Sequence, residues 1–455
     1  MTAVPETEFE VGPEDGPRIG LVTLGCDKNT VDSERILGAL VASGARVTSE
    51  VDQAEVVIVN TCGFIETAKE QSIETILEAC ALKEQGRVQA VAAVGCMVQR
   101  YEKELREEIP EVDVFLGIAE LSRLVPELRE RGLLREPSVP MMEIPLRILT
   151  TDTPHSSFLK ISEGCDHTCA FCAIPDMRGL HRSAGLEDLV AEARALGDRG
   201  VRELNVISQD TTWYGRDLRR RDRTAPLLPD LLRALLDGTD VEWYRLFYMY
   251  PSGISRELVD LLASEERLLP YLDMPLQHGS DRILTRMRRP ERRAQIRERV
   301  GWLRERIPDL TLRTTVIVGF PGESEEDFVE MLDLLAELRF DRVGAFAYSP
   351  EDGTPAASMD GQVDEAEKAE RLERLMDHQR YLSYELNEAL VGSRQQVLVD
   401  YITSDGCVGR TRGQALEVDG HTRLSSWKGA SPGDMVTAEI VDAEEYDLIG
   451  RVVNA

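Results

Sequence analysis

The sequence predicts an α/β chain of three domains: an N-terminal open parallel sheet, a central partial (β/α)6 barrel and a small C-terminal antiparallel β-barrel. Three observations carry this. Apolar runs alternate with helical stretches in residues 18–132 and again in 153–384, the pattern of buried parallel strands joined by helices. From residue 391 the pattern changes to short strand-like runs split by Gly and Asp, which suits a small barrel. The chain's 455 residues leave room for about three domains.

In the first domain, RIGLVTLGC, VVIVNTC and VQAVAAVGC each end in cysteine and each precede a helical stretch. Cys26, Cys62 and Cys96 are therefore expected at the carboxyl ends of three strands, the edge where open α/β sheets bind ligands. A fourth run, DVFLG, ends this domain near residue 132. Residues 133–152, with three prolines and little periodicity, read as a linker.

The second series has six strand-like runs: FLKIS, ELNVISQ, WYRLFYM, YLDMPLQ, LRTTVIVGF and RVGAFAYS. Six units are too few to close an eight-fold barrel, so an incomplete one is expected, with its active site at the strands' carboxyl ends. Residues 363–390 read as one long charged helix leading to the last domain at 385–455, whose strands are QQVLVDYI, GCVGRTRG, DMVTAEIV and LIGRVV.

Charge restricts the partners. With 53 basic and 82 acidic residues the net charge is −29, which repels phosphate backbones and anionic membranes and favours basic partners. The acidic opening MTAVPETEFE has no signal-like pattern, and no apolar run approaches 18 residues. A soluble, cytoplasmic protein is expected. In a reducing cytosol, clustered members of the eight cysteines are expected to bind metal or do chemistry, not to form disulfides.

The sharpest cluster is Cys165-x-x-x-Cys169-x-x-Cys172 in KISEGCDHTCAFCAIP, just after the first strand of the second domain. Three thiolates on one loop can hold three irons of a [4Fe–4S] cluster and leave the fourth open. The alternative is a zinc site completed by His167 or a remote donor, although zinc sites usually pair two Cys-x-x-Cys units. Cys80 and Cys407 read as structural thiols.

This motif before a partial barrel resembles the radical S-adenosylmethionine (SAM) superfamily. The resemblance implies that SAM chelates the open iron and is cleaved by an electron from the cluster, giving a radical that abstracts hydrogen from carbon. The protein then positions substrate and excludes side reactions. It also implies an electron donor such as flavodoxin or ferredoxin. Phe171 would lie near the adenine. Gln209 and Asp210, ending the second strand, and the TVIVGFPGE segment, with Thr315, Gly319 and Glu323, would contact SAM. Thr315 stands where many members have Gly. Gln277 and His278 end the fourth strand, but radical abstraction requires no general base, so His278 is expected to be structural.

GCDKNTVDSE, VNTCGF and VGCMVQ narrow the resemblance to the radical SAM methylthiotransferases, from about Arg18 to the C-terminus. In that family Cys26, Cys62 and Cys96 would hold a second [4Fe–4S] cluster with one open iron for the sulfur to be inserted. Asp27 departs from the usual Pro, at a position that does not ligate metal. The last domain resembles TRAM, an RNA-binding module in the tRNA-modifying branch. Here, however, residues 385–455 hold 12 acidic and 6 basic residues, whereas RNA binding calls for a basic face. Tyr248–Pro251 (YMYP) and Glu351, where tRNA-directed relatives tend to have Arg, agree. The expectation is an enzyme that methylthiolates the β-carbon of an aspartate in a basic small-subunit ribosomal protein, with two SAM per turnover; tRNA is not expected to be a partner. The alternatives are a tRNA adenosine methylthiotransferase and a non-catalytic, cluster-containing ribosome assembly factor.

Overall fold

The computed structural model describes residues 10–135, 147–425 and 429–454; the middle of the expected linker and the acidic N-terminal residues lie outside them. The chain divides into two compact units. One holds residues 1–152 with 163–167 and 172–181; the other holds 153–162, 168–171 and 182–455.

The first unit is built on six strands: β1 (Glu10–Val11), β2 (Arg18–Thr23), β3 (Arg46–Thr48), β4 (Val56–Thr61), β5 (Ala90–Gly95) and β6 (Val114–Gly117). Their order is β1-β3-β2-β4-β5-β6, parallel except for β1. Every residue of β4 and β5 is buried, because helices cover both faces: hence their unbroken apolar sequences. Helices α1 (Asp27–Ala42), α2 (Glu66–Glu84) and α3 (Cys96–Glu108) follow β2, β4 and β5. Register aligns Thr23 with Asn60, Asn60 with Val94 and Thr61 with Gly95, so the carboxyl ends of β2, β4 and β5 lie side by side. Strands β1 and β3, of two and three residues, are too short to leave a sequence signal.

The second unit carries six parallel strands in sequential order: β7 (Ser156–Lys160), β8 (Glu203–Ile207), β9 (Trp243–Leu246), β10 (Leu268–Asp273), β11 (Thr311–Val318) and β12 (Arg342–Ala347). With β7 and β12 at its two edges, the sheet is an open (β/α)6 arrangement. The long helix α4 (Glu365–Glu388) packs on β12: Arg342 donates to Ser383 Oγ (3.1 Å) and Gln379 to the Phe340 carbonyl (3.1 Å). A closed barrel follows, formed by β13 (Arg394–Ile402), β14 (Cys407–Thr411), β15 (Thr422–Ser425), β16 (Met435–Ala443) and β17 (Leu448–Asn454). It meets the amino ends of the larger sheet's strands through buried charge. Arg410 of β14 pairs with Glu203 of β8 and, at 2.8 Å, with Asp400; Arg245 holds Glu203 at 3.0 Å; His155 meets Asp400 at 3.0 Å. Tyr271 donates to Asp419 (2.8 Å). Among the described residues no helix is long and apolar enough to cross a membrane.

Candidate iron–sulfur and SAM sites

Each cysteine of the N-terminal trio is placed by a strand end. Cys62 directly follows β4, Cys96 opens α3 after Gly95, and Cys26 caps α1 in extended backbone. Gly25 has φ +98°, and a Cβ there would stand 2.9 Å from Cys62 Sγ, so only glycine lets the β2 and β4 ends approach. A buried polar layer fixes the three ends. Asn29 Nδ2 donates to the Leu24 carbonyl (2.7 Å) and the Thr61 carbonyl (3.2 Å), Asn60 Nδ2 to the Asn29 carbonyl (3.1 Å), and Ser72 Oγ to the Cys62 carbonyl (3.0 Å). Cys96 Sγ reaches Asn29 Oδ1 at 3.7 Å.

Arg178, on a short helix after the second cysteine motif, belongs to the same unit. It is buried and donates to Asn29 Oδ1 (2.6 Å), Asp32 Oδ2 (3.1 Å) and Glu163 Oε1 (2.7 Å). Met177 and Ala173 of that segment pack on Cys96. Burial pushes the Cys96 thiol up to about 12, against the pull of the Arg178 charge and reinforced by Cys26 and Cys62 nearby. The thiol stays protonated in the metal-free protein, and metal binding must release that proton.

The second motif is divided by the fold: Cys165 and Cys172 belong to the first unit and Cys169 to the second. Gly164, at φ +73°, lies so close to the Gly179 and Leu180 carbonyls that a Cβ would meet them at 2.5 and 2.3 Å. The Cys165 amide closes this turn on the Gly179 carbonyl (3.0 Å). Cys169 Sγ lies 3.1 Å from the Tyr250 hydroxyl and 4.0 Å from Arg289 Nη1.

Among the described residues no three His, Cys, Asp or Glu side chains are gathered tightly enough for a single metal ion. A four-iron cluster takes one thiolate per iron, so its sulfurs stand further apart than the donors of a lone zinc. For the trio the donor set fits: three thiols at adjacent strand ends, two of them buried, with a buried cation beside them. The second motif supplies the same donor chemistry, three cysteines within eight residues of sequence, and within the second unit Cys169 has phenol and guanidinium donors beside it.

The other predicted residues lie in the second unit. Phe171 packs edge-on against Phe320, centroids 6.5 Å apart. Gln209, part-exposed, follows β8. Asp210 is buried and caps a turn, accepting from the Thr212 amide (3.0 Å) and hydroxyl (2.6 Å). Thr315 lies within β11, where its hydroxyl accepts from Arg313 (3.3 Å). Gly319 has φ +71° and is approached by the Lys368 side chain. Glu323 is buried, held by Arg371 (2.8 Å), the Phe320 amide (3.2 Å) and His278 Nε2 (3.2 Å). Because His278 Nδ1 accepts from the Ser280 amide (2.9 Å), its proton sits on Nε2 toward Glu323: a structural histidine. Glu351 is buried too, accepting from Ser349 (2.8 Å).

Sequence reading missed Arg178, Arg289 and the contact made by Tyr250, although Tyr250 lies within the YMYP segment. Tyr248 and Gln277, at the carboxyl ends of β9 and β10, hold φ of +55° and +74°, backbone strain of the kind that gathers at functional sites.

Comparison with known proteins follows the same three-part division. Residues 18–117 match the uncharacterized protein family UPF0004, 159–335 the radical SAM superfamily and 391–453 the TRAM domain. Among solved structures, the chain resembles the radical SAM methyltransferase TsrM from Kitasatospora setae, with cobalamin and a [4Fe–4S] cluster bound. The TM-score is 0.51 at 15% identity, over 84% of this chain and 80% of that one. The cobalamin-dependent radical SAM enzyme OxsB gives 0.51 at 13%, over 81% and 56%. At such identities the likeness is one of fold. Fold and motifs together define a radical SAM protein with a TRAM domain.

The sequence relatives are more specific. A ribosomal protein uS12 methylthiotransferase RimO from Anaeromyxobacter sp. (strain Fw109-5) is 46% identical, over 96% of this chain and 93% of its own. One from Desulforudis audaxviator is also 46% identical (97% and 98%), and one from Geobacter sulfurreducens 42% (96% and 99%). The chain belongs to the ribosomal protein uS12 methylthiotransferase RimO family.

Proposed function

We propose that this chain transfers a methylthio group to the β-carbon of an aspartate in ribosomal protein uS12, with two [4Fe–4S] clusters and two SAM per turnover. The observation that supports this most is the pair of separate cysteine sets, one at the strand ends of a parallel sheet and one in the loop after the first barrel strand, in a chain of this family. When bound, the clusters and SAM supply the electron, the carbon-centred radical and the sulfur.

The chain's own residues do the rest. Cys165, Cys169 and Cys172 hold the reducing cluster; Cys26, Cys62 and Cys96 hold the auxiliary one. Phe171, Gln209, Asp210, Thr315, Gly319 and Glu323 shape the SAM site, the last through Arg371 and His278, which keep its segment in place. Domain roles follow at 18–132 for the auxiliary cluster, 153–384 for radical generation and 385–455 for recognition, with 133–152 as linker. The partners are basic uS12 and a small electron-transfer protein such as flavodoxin or ferredoxin, in the cytoplasm, without tRNA. The −29 charge supports this choice, since a negative surface repels the phosphate backbone that RNA binding must neutralise.

The test is mass spectrometry of uS12 after anaerobic incubation with reconstituted protein, SAM and reductant. The expected result is one methylthio group on one aspartate. Unmodified uS12 beside modified tRNA adenosine would overturn it.

A further inference from the structure

The sulfur of Cys169 is approached by a phenol and a guanidinium. Tyr250 presents its hydroxyl at 3.1 Å, and the Arg289 guanidinium stacks on the Tyr250 ring at 3.8 Å while placing Nη1 4.0 Å from the same sulfur. Both side chains are buried and fixed. Arg289 donates to the Pro275 carbonyl (2.8 Å) and meets Glu291 at 3.4 Å, and Ser252 donates to Glu291 at 3.3 Å. Such a built arrangement exceeds what packing a thiol requires. A metal-bound thiolate has no proton and only accepts, so the phenol must be the donor.

We propose that Tyr250, held by Arg289, is a positioning residue that sets the reduction potential of the cluster on this loop. The inference rests on the reading that Cys165, Cys169 and Cys172 hold such a cluster. Reduction adds one negative charge to the cluster. A hydrogen bond to a ligand sulfur and a buried cation beside it both favour the more negative state, so both raise the potential. Tyr250 thereby eases the electron transfer that must precede SAM cleavage, without touching the reacting atoms.

The experiment is an anaerobic potentiometric titration, followed by electron paramagnetic resonance, of the full chain and its Tyr250→Phe variant. A Cys26→Ala, Cys62→Ala, Cys96→Ala background isolates the loop signal. The expected result is unchanged iron per chain and a tenfold lower ratio of reduced to oxidised cluster at fixed potential, a shift of about 59 mV for a one-electron couple. SAM cleavage should fall with a weak reductant and recover with a strong one. An unchanged midpoint at full iron loading would overturn the tuning role, as would iron loss without any shift. No iron on the loop of the background protein would instead overturn the cluster reading beneath it.

Discussion

The two cysteine sets are held by opposite means. The trio is built from regular structure: three adjacent parallel strands end together, a polar layer of Asn29, Asn60 and Ser72 ties those ends, and Arg178 supplies one buried charge. The Cys165–Cys172 loop carries no helix or strand of its own. A tight glycine turn forms one end, and its middle cysteine takes its polar contacts from Tyr250 and Arg289, far along the chain. One set is framed by its own backbone; in the other, the middle cysteine is approached by buried side chains from distant segments. Two sets of three cysteines in one chain thus sit in unlike surroundings, and the proposed division of labour between them can be tested.

Ligand loss gives the largest effect. Cys169→Ala should abolish both SAM cleavage and methylthiolation, whereas Cys62→Ala should abolish methylthiolation and retain cleavage, both read by chromatography of the SAM products and mass spectrometry of uS12. Equal loss of cleavage in two folded variants would erase the distinction.

Next in size is the buried cation of the trio. Arg178→Met removes the buried cation that Asp32 and Glu163 face, and breaking a buried pair from one side costs about 3–5 kcal/mol. The denaturation midpoint of the metal-free protein should fall accordingly. A change near zero would show that Arg178 holds nothing in place.

The junction between the larger sheet and the C-terminal barrel gives a smaller, pH-dependent effect. Burial alone would raise Glu203, but Arg410 and Arg245 hold it below its ordinary 4.5. Asp400, likewise opposed by burial, is held below its ordinary 3.8 by His155 and Arg410. Lowered carboxylates stabilise the fold fully above their unfolded values and lose that contribution as pH falls through the folded ones. Stability measured by denaturant should therefore be flat from neutral pH to about 5 and drop below about 4, and Glu203→Gln should shrink the drop. The same network makes truncation at Glu385 a poor probe of recognition, since it would strip Arg410 and Asp400 from Glu203 and His155.

The smallest effect is surface charge. Asp405 and Asp442 are exposed on the C-terminal barrel, and each surface charge is worth about 0–1 kcal/mol. The Asp405→Asn, Asp442→Asn pair should slow uS12 association a few-fold at low salt, and the difference should vanish at high salt. A salt-independent change would argue against charge steering.

The sequence carried the architecture because apolar runs record burial. The unbroken VVIVN and AVAAV segments could only be strands covered on both faces, and six such runs in the second series defined the open barrel. The placement of Cys26, Cys62 and Cys96 at strand ends was legible because each closes an apolar run. The supporting residues were not. Arg178 meets Asn29, and Arg289 meets Tyr250, through contacts between segments distant in sequence, and no periodicity encodes them. Polar residues at strand ends were ambiguous in another way: Asp210 and Glu323 sit where ligand contacts are expected, yet each also caps or pairs within the fold.

Iron content decides whether the chain carries two clusters or one. Anaerobically reconstituted, the unaltered chain should hold about eight irons, two four-iron clusters. Replacing Cys26, Cys62 and Cys96 with Ala should leave about four irons together with SAM cleavage, and replacing Cys165, Cys169 and Cys172 should leave about four without it. Saturation of the unaltered chain at about four irons would rule out a second cluster and reduce the N-terminal trio to structural thiols.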